Sequence, residues 1–174
     1  MLGTGTTGCA GWSDVYGGES YNLSGRNASS GPIAGFESIF TPKLHALMKQ
    51  AGGEALPIGL HNAFQLLLAP DTKTVSWLTG IAYYGQPDPV SGYAILGSNL
   101  HFDLLQSRFS FGTFQPYGEL GLAAHFGSHA FGNDGLVTTL GLQMMYIYNY
   151  LAPAGEPNST SFATVKFGIG WDLH

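Results

Sequence analysis

The final segment SFATVKFGIGWDLH, Ser161 to His174, restricts the fold more than any other part of the chain. Ala163, Val165, Phe167, Ile169, Trp171 and Leu173 occupy alternate positions, with Thr164, Lys166, Gly168, Gly170, Asp172 and His174 between them. Successive side chains of a strand point to opposite faces, so this spacing predicts a strand with one wholly apolar side. The other side carries charges and glycines instead of the Lys/Glu mixture of a solvated face. An apolar outside and a polar, packed inside form the pattern of a membrane β-barrel wall.

Charge content points the same way. Only 10% of residues are Asp, Glu, Lys or Arg, against roughly 25% in an ordinary soluble domain. A soluble domain of 174 residues would have too few charges to cover its surface. No run reaches the roughly 20 apolar residues a membrane helix needs. What remains is a lipid-facing barrel or a subunit buried in an assembly. The 26 glycines and 13% aromatics suit closely packed strands with interfacial aromatic girdles. The net charge of −5, with no basic cluster, gives nucleic-acid binding no electrostatic support.

The same two-faced pattern recurs upstream. Leu140, Leu142, Met144, Tyr146, Tyr148 and Tyr150 oppose Thr139, Gly141, Gln143, Met145, Ile147 and Asn149. Leu120, Leu122, Ala124 and Phe126 oppose Glu119, Gly121, Ala123 and His125. Leu96, Leu100, Phe102 and Leu104 oppose Gly97, Asn99, His101 and Asp103. Val75, Trp77, Ile81 and Tyr83 form another apolar face, as do Leu60, Phe64, Leu66 and Leu68. Six strands are therefore expected from Ile58 to the C-terminus. The segments APDTK, GQPDPVSG, GNDG and APAGEPNST between them are rich in turn formers. Gly11 to Tyr21 and Pro32 to Phe40 supply two more strands, making eight in an antiparallel up-and-down meander. TPKLHALMKQ has a helix N-cap in Thr41, Pro42 at the first position and a Gly52–Gly53 stop, predicting a short helix near 42–50. Residues 1–10 read as a flexible leader and 11–174 as a single barrel domain. Cys9 is the only cysteine, so no intramolecular disulfide can form. The chain reads as a mature form without its export signal.

FQPYGELGLAAHF, Phe114 to Phe126, resembles the strand pattern F-x-P-Y-x-x-x-G-x-G of small outer-membrane barrels of the OmpA/OmpW type. The C-terminal alternation is similar to the assembly signal of such proteins. The resemblance implies a place in the bacterial outer membrane and says less about activity.

Lumen-facing polar positions hold His101, Asp103, Glu119, His125, Lys166 and Asp172. Side chains fill the interior of an eight-stranded barrel, and buried charges must be paired. These six are expected to form an ion-pair and hydrogen-bond network. Trp77, Phe126, Tyr146, Tyr148, Tyr150 and Trp171 are assigned to the aromatic girdles. His125 with His129, or His101 with Asp103, has spacing that could ligate an ion. SHAFGND suggests that His129 lies in a turn, however, and neither a metal nor any other cofactor is expected. The sequons at Asn22, Asn27 and Asn158 read as chance features of loops.

No catalytic motif stands out. His125 with Ser128 and Glu119 is the nearest nucleophile–base–acid set, but positions 125 and 128 face opposite sides of a regular strand, as do Ser98 and His101. The expected role is structural or binding, with membrane lipids, a surface protein or a small hydrophobic molecule as partner. Two other classes make distinct demands. A soluble β-sandwich or barrel subunit would turn its apolar faces inward. A lipid-modifying hydrolase would need Ser, His and an acid within hydrogen-bond reach on one side of the wall.

Overall fold

The computed structural model describes residues 11–24, 29–40, 58–70, 73–85, 89–104, 108–110, 115–126, 135–148 and 159–173. Eight long strands make the wall: β1 (Gly11–Ser24), β2 (Gly31–Phe40), β3 (Ile58–Leu68), β4 (Lys73–Tyr84), β5 (Val90–Asp103), β7 (Pro116–Phe126), β8 (Leu136–Tyr148) and β9 (Ser159–Leu173). A three-residue strand, β6 (Arg108–Ser110), lies against the end of β5. Each wall strand pairs antiparallel with its neighbours along the chain, and β1 pairs with both β2 and β9, so the sheet closes on itself. Closure leaves no unpaired edge, which a strand crossing lipid cannot carry.

The expected fold is therefore present. It is an antiparallel transmembrane β-barrel of eight strands. One boundary moves: β5 begins at Val90, so the last residues of GQPDPVSG belong to the wall. Pairing with β7 extends them, through Val90↔Ala124 and Ser91↔Ala123. The expected helix near 42–50, Cys9, Asn27, Ser128, His129, Tyr150 and Asn158 lie outside the described residues, as do the side chains of Asp103 and Tyr148.

The alternation resolves into an inside-out molecule. Leu96 is 75% exposed and Leu120 65%, and twenty-six large hydrophobic side chains are exposed among the described residues. Asp14, Glu37, His61, Glu119, Gln143 and Lys166 are buried. In water each such apolar side chain would forgo about 1.5–3 kcal/mol of burial. A soluble domain cannot sustain that many. The soluble alternative needs the opposite arrangement of the same faces.

Two tyrosines cross the lumen over glycines. Tyr16 lies opposite Gly35 and Tyr93 opposite Gly121. A Cβ at either glycine would run into the facing ring. The glycines of the polar faces thus make room for large side chains from the next strand.

Candidate functional site

The lumen is filled by side chains in three zones. The middle is built around Lys166, which β9 places between Gly18 on β1 and Gly141 on β8. Lys166 Nζ donates to Glu37 Oε2 at 2.5 Å and to Glu119 Oε1 at 2.8 Å, with all three side chains fully buried. The ammonium also sits 4.4 Å from the centre of the Tyr16 ring. His61 Nε2 lies 3.0 Å from Glu37 Oε2, and its Nδ1 lies 2.6 Å from the Tyr117 hydroxyl. Tyr93 donates to Glu119 Oε1 at 2.7 Å, Tyr16 to Gln65 Oε1 at 3.2 Å, and Thr139 to Asp14 Oδ2 at 2.6 Å.

Two carboxylates, Glu37 and Glu119, therefore share one ammonium, and a third, Asp14, is buried in the same lumen. Asp14 makes no direct ion pair among the described residues, and its Oδ1 has no hydrogen-bond partner there. Asparagine at this position would keep an acceptor for Thr139 while removing a charge. Asp14→Asn is expected to alter stability by no more than about 1.5 kcal/mol. Urea titration of the folded protein would check this, and a larger loss would show that the third carboxylate is required.

At one mouth, where β1 begins and β9 ends, Trp12 forms an aromatic floor with Tyr84 and Tyr93, at centroid distances of 5.8 and 5.5 Å. Here His125 Nδ1 lies 2.8 Å from Asp172 Oδ1, and Ser91 Oγ lies 3.2 Å from His125 Nε2. The three residues come from β5, β7 and β9. Just before β8, the Gly135 carbonyl accepts the Asp172 amide at 2.9 Å. At the opposite mouth His101 Nδ1 meets Ser76 Oγ at 3.0 Å, and Thr164 donates to Ser20 at 3.0 Å.

The expected lumen residues thus fall into separate places. Glu119 and Lys166 meet in the middle, His125 and Asp172 meet at one mouth, and His101 stands at the other. His125 and Glu119 lie six residues apart on one strand, about 20 Å, and do not form the acid–base pair considered from sequence. Asp14, Glu37, His61 and Ser91 were not foreseen. Asp14 and Glu37 sit in the less regular N-terminal strands, and Ser91 in an apparent turn. Among the described residues no group of three or more His, Cys, Asp or Glu could hold a metal ion. Of the girdle residues, Trp77, Phe126, Tyr146 and Trp171 point outward, and Trp77 stacks on Phe64 at 6.1 Å.

Sequence comparison finds no matching family model and no matching curated protein. Among solved structures, the chain is similar to Neisserial surface protein A (NspA), with a TM-score of 0.57 at 13% identity over 93% of this chain and 95% of that one. This is the fold of the small outer-membrane β-barrels. A second barrel of that fold, Ail, the attachment invasion locus protein of Yersinia pestis, was solved with the heparin analogue sucrose octasulfate. It gives a TM-score of 0.50 at 13% identity, over 95% of this chain and 98% of that one. At such identities the likeness carries architecture, and this barrel's own residues must carry any role.

Proposed function

We propose that this chain is a bacterial outer-membrane barrel whose lumen is closed to solutes and whose work is done by its outer wall and loops, with residues 11–174 forming one barrel domain behind a short leader. The observation that supports this reading is the buried Lys166–Glu37–Glu119 cluster inside a wall of exposed leucines, phenylalanines and aromatics. A central ion-pair plug bars passage, while the apolar exterior suits lipid. Partners then approach from the side or from the loops: membrane lipid, a surface protein, or a small hydrophobic molecule. Trp77, Phe126, Tyr146 and Trp171 anchor the wall at the lipid boundaries, as aromatic girdles do.

The test is reconstitution. The folded chain is expected to require detergent or lipid, to migrate differently on gels before and after boiling, and to give no steady conductance in planar bilayers. Stability in plain buffer would overturn the lipid-facing wall. A stable single-channel step would overturn the closed lumen.

A further inference from the structure

We propose that Ser91, His125 and Asp172 form a nucleophile–base–carboxylate relay that hydrolyses carboxylic esters at the mouth of the barrel. This goes beyond the structural role of the wall and does not depend on it. Three observations carry it. The hydrogen bonds run in the order the chemistry needs, with Ser91 Oγ 3.2 Å from His125 Nε2 and His125 Nδ1 2.8 Å from Asp172 Oδ1. An ionised carboxylate only accepts, so Nδ1 carries the proton and Nε2 presents a lone pair to the serine hydroxyl. The His125 and Asp172 side chains are 12% and 14% exposed, unlike the fully buried ion cluster in the middle, and Ser91 lies just beneath them at 4% exposure, so the imidazole–carboxylate end of the relay is the part open to water. Finally, Trp12 is buried beside it, its ring meeting the His125 imidazole edge-on at 6.1 Å, and its indole N–H has no hydrogen-bond partner among the described residues. A buried donor without a partner costs about 1–3 kcal/mol, and a ligand oxygen would supply what it lacks.

The reaction balances without a cofactor. Ser91 Oγ attacks the ester carbonyl carbon while its proton passes to His125 Nε2. The negative charge on the carbonyl oxygen is assigned to the Trp12 indole N–H. Collapse breaks the bond to the alkoxy oxygen, which takes the proton from Nε2 and leaves as an alcohol. Water then attacks the acyl-serine, gives its proton to Nε2, and the carboxylic acid departs as the proton returns to Ser91. Asp172 touches no reacting atom and serves as a positioning residue for the imidazole. The floor of Trp12, Tyr84 and Tyr93 is aromatic, and an eight-stranded barrel is narrow, so the acyl group is a short apolar chain.

The first test exposes the full-length protein, folded in detergent, to a fluorophosphonate, followed by peptide mass spectrometry, with p-nitrophenyl butyrate turnover measured in parallel. Labelling at Ser91 is expected in the folded protein and not after urea unfolding. Ser91→Ala should abolish both labelling and turnover. Asp172→Asn should lower kcat about 10³- to 10⁴-fold with little change in KM, and Asp172→Glu should recover part of it. Trp12→Phe should lower kcat about 10²-fold. Each variant is checked for the heat-modifiable band. Should a variant not fold, labelling of the wild-type protein still decides. An unlabelled Ser91 in the folded protein, or equal turnover by Ser91→Ala, would overturn the proposal and leave the three residues as a hydrogen-bond chain closing the mouth.

Discussion

Lys166→Met is expected to cost about 3–5 kcal/mol, the range for removing one partner of a buried ion pair. The reason lies in what is left behind. Glu37 and Glu119 both point at the ammonium, at 2.5 and 2.8 Å, from fully buried positions. Without it, two carboxylates face each other in a lumen where their charge is poorly screened. Among the described residues Glu37 retains His61 Nε2 as its hydrogen-bonding neighbour, at 3.0 Å, while Glu119 retains the Tyr93 and Gln143 donors. A loss of that size is a large part of the 5–15 kcal/mol that holds a typical domain folded. The triple variant Lys166→Met, Glu37→Gln, Glu119→Gln is expected to recover most of it, since replacing a whole buried ionic set is far milder than breaking one. Urea midpoints in detergent micelles, with gel mobility as the measure of folded fraction, separate the cases. An unchanged midpoint for the single variant would mean that the lumen is wet, and the closed-lumen reading would fall with it.

Leu142→Arg tests the wall from outside. Leu142 is 51% exposed on β8 and lies between Leu120 of β7 and Val165 of β9, both also outward. It is next to Gly141, the partner of Lys166, so it sits at the level of the lumen's ion cluster. In lipid, an arginine there costs about 2–4 kcal/mol at mid-depth. In water, the same change at an exposed position would fall within about ±0.5 kcal/mol. Leu136→Arg, at the end of the same strand and equally exposed, is expected to cost only about 0–1 kcal/mol. Unfolding of liposome-inserted protein should therefore show a depth-dependent pair. Equal, small effects at both positions would return the apolar face to the category of a protein interface.

These two sites show what a strand sequence reveals. Lys166 and Leu142 could be placed on opposite sides of the wall from spacing alone, because the side-chain period of a strand is two and does not depend on its neighbours. Low charge then supplied the direction: too few Asp, Glu, Lys and Arg residues existed to cover an outer surface, so the polar faces belonged inside. Which inward residues would meet was a different matter. Glu37 and Lys166 are 129 residues apart, and Asp14 and Thr139 are 125 apart. Their contacts follow from strand register and barrel closure, neither of which leaves a local trace. The N-terminal acids were harder still, because Ser13 and Gly17 blur the apolar side of β1.

The mouth shows the division most plainly. Alternation put His125 and Asp172 on polar faces and said nothing of their being partners. Ser91 read as turn because Pro87, Pro89 and Gly92 surround it, and only pairing with Ala123 on β7 makes it part of the wall. The sequence alone thus determined period, facing and strand number, since these rest on local geometry and on the balance of polar and apolar surface. The tertiary structure decided the Lys166 cluster and the Ser91–His125–Asp172 chain, since both require strands distant in sequence to be brought together at one particular register.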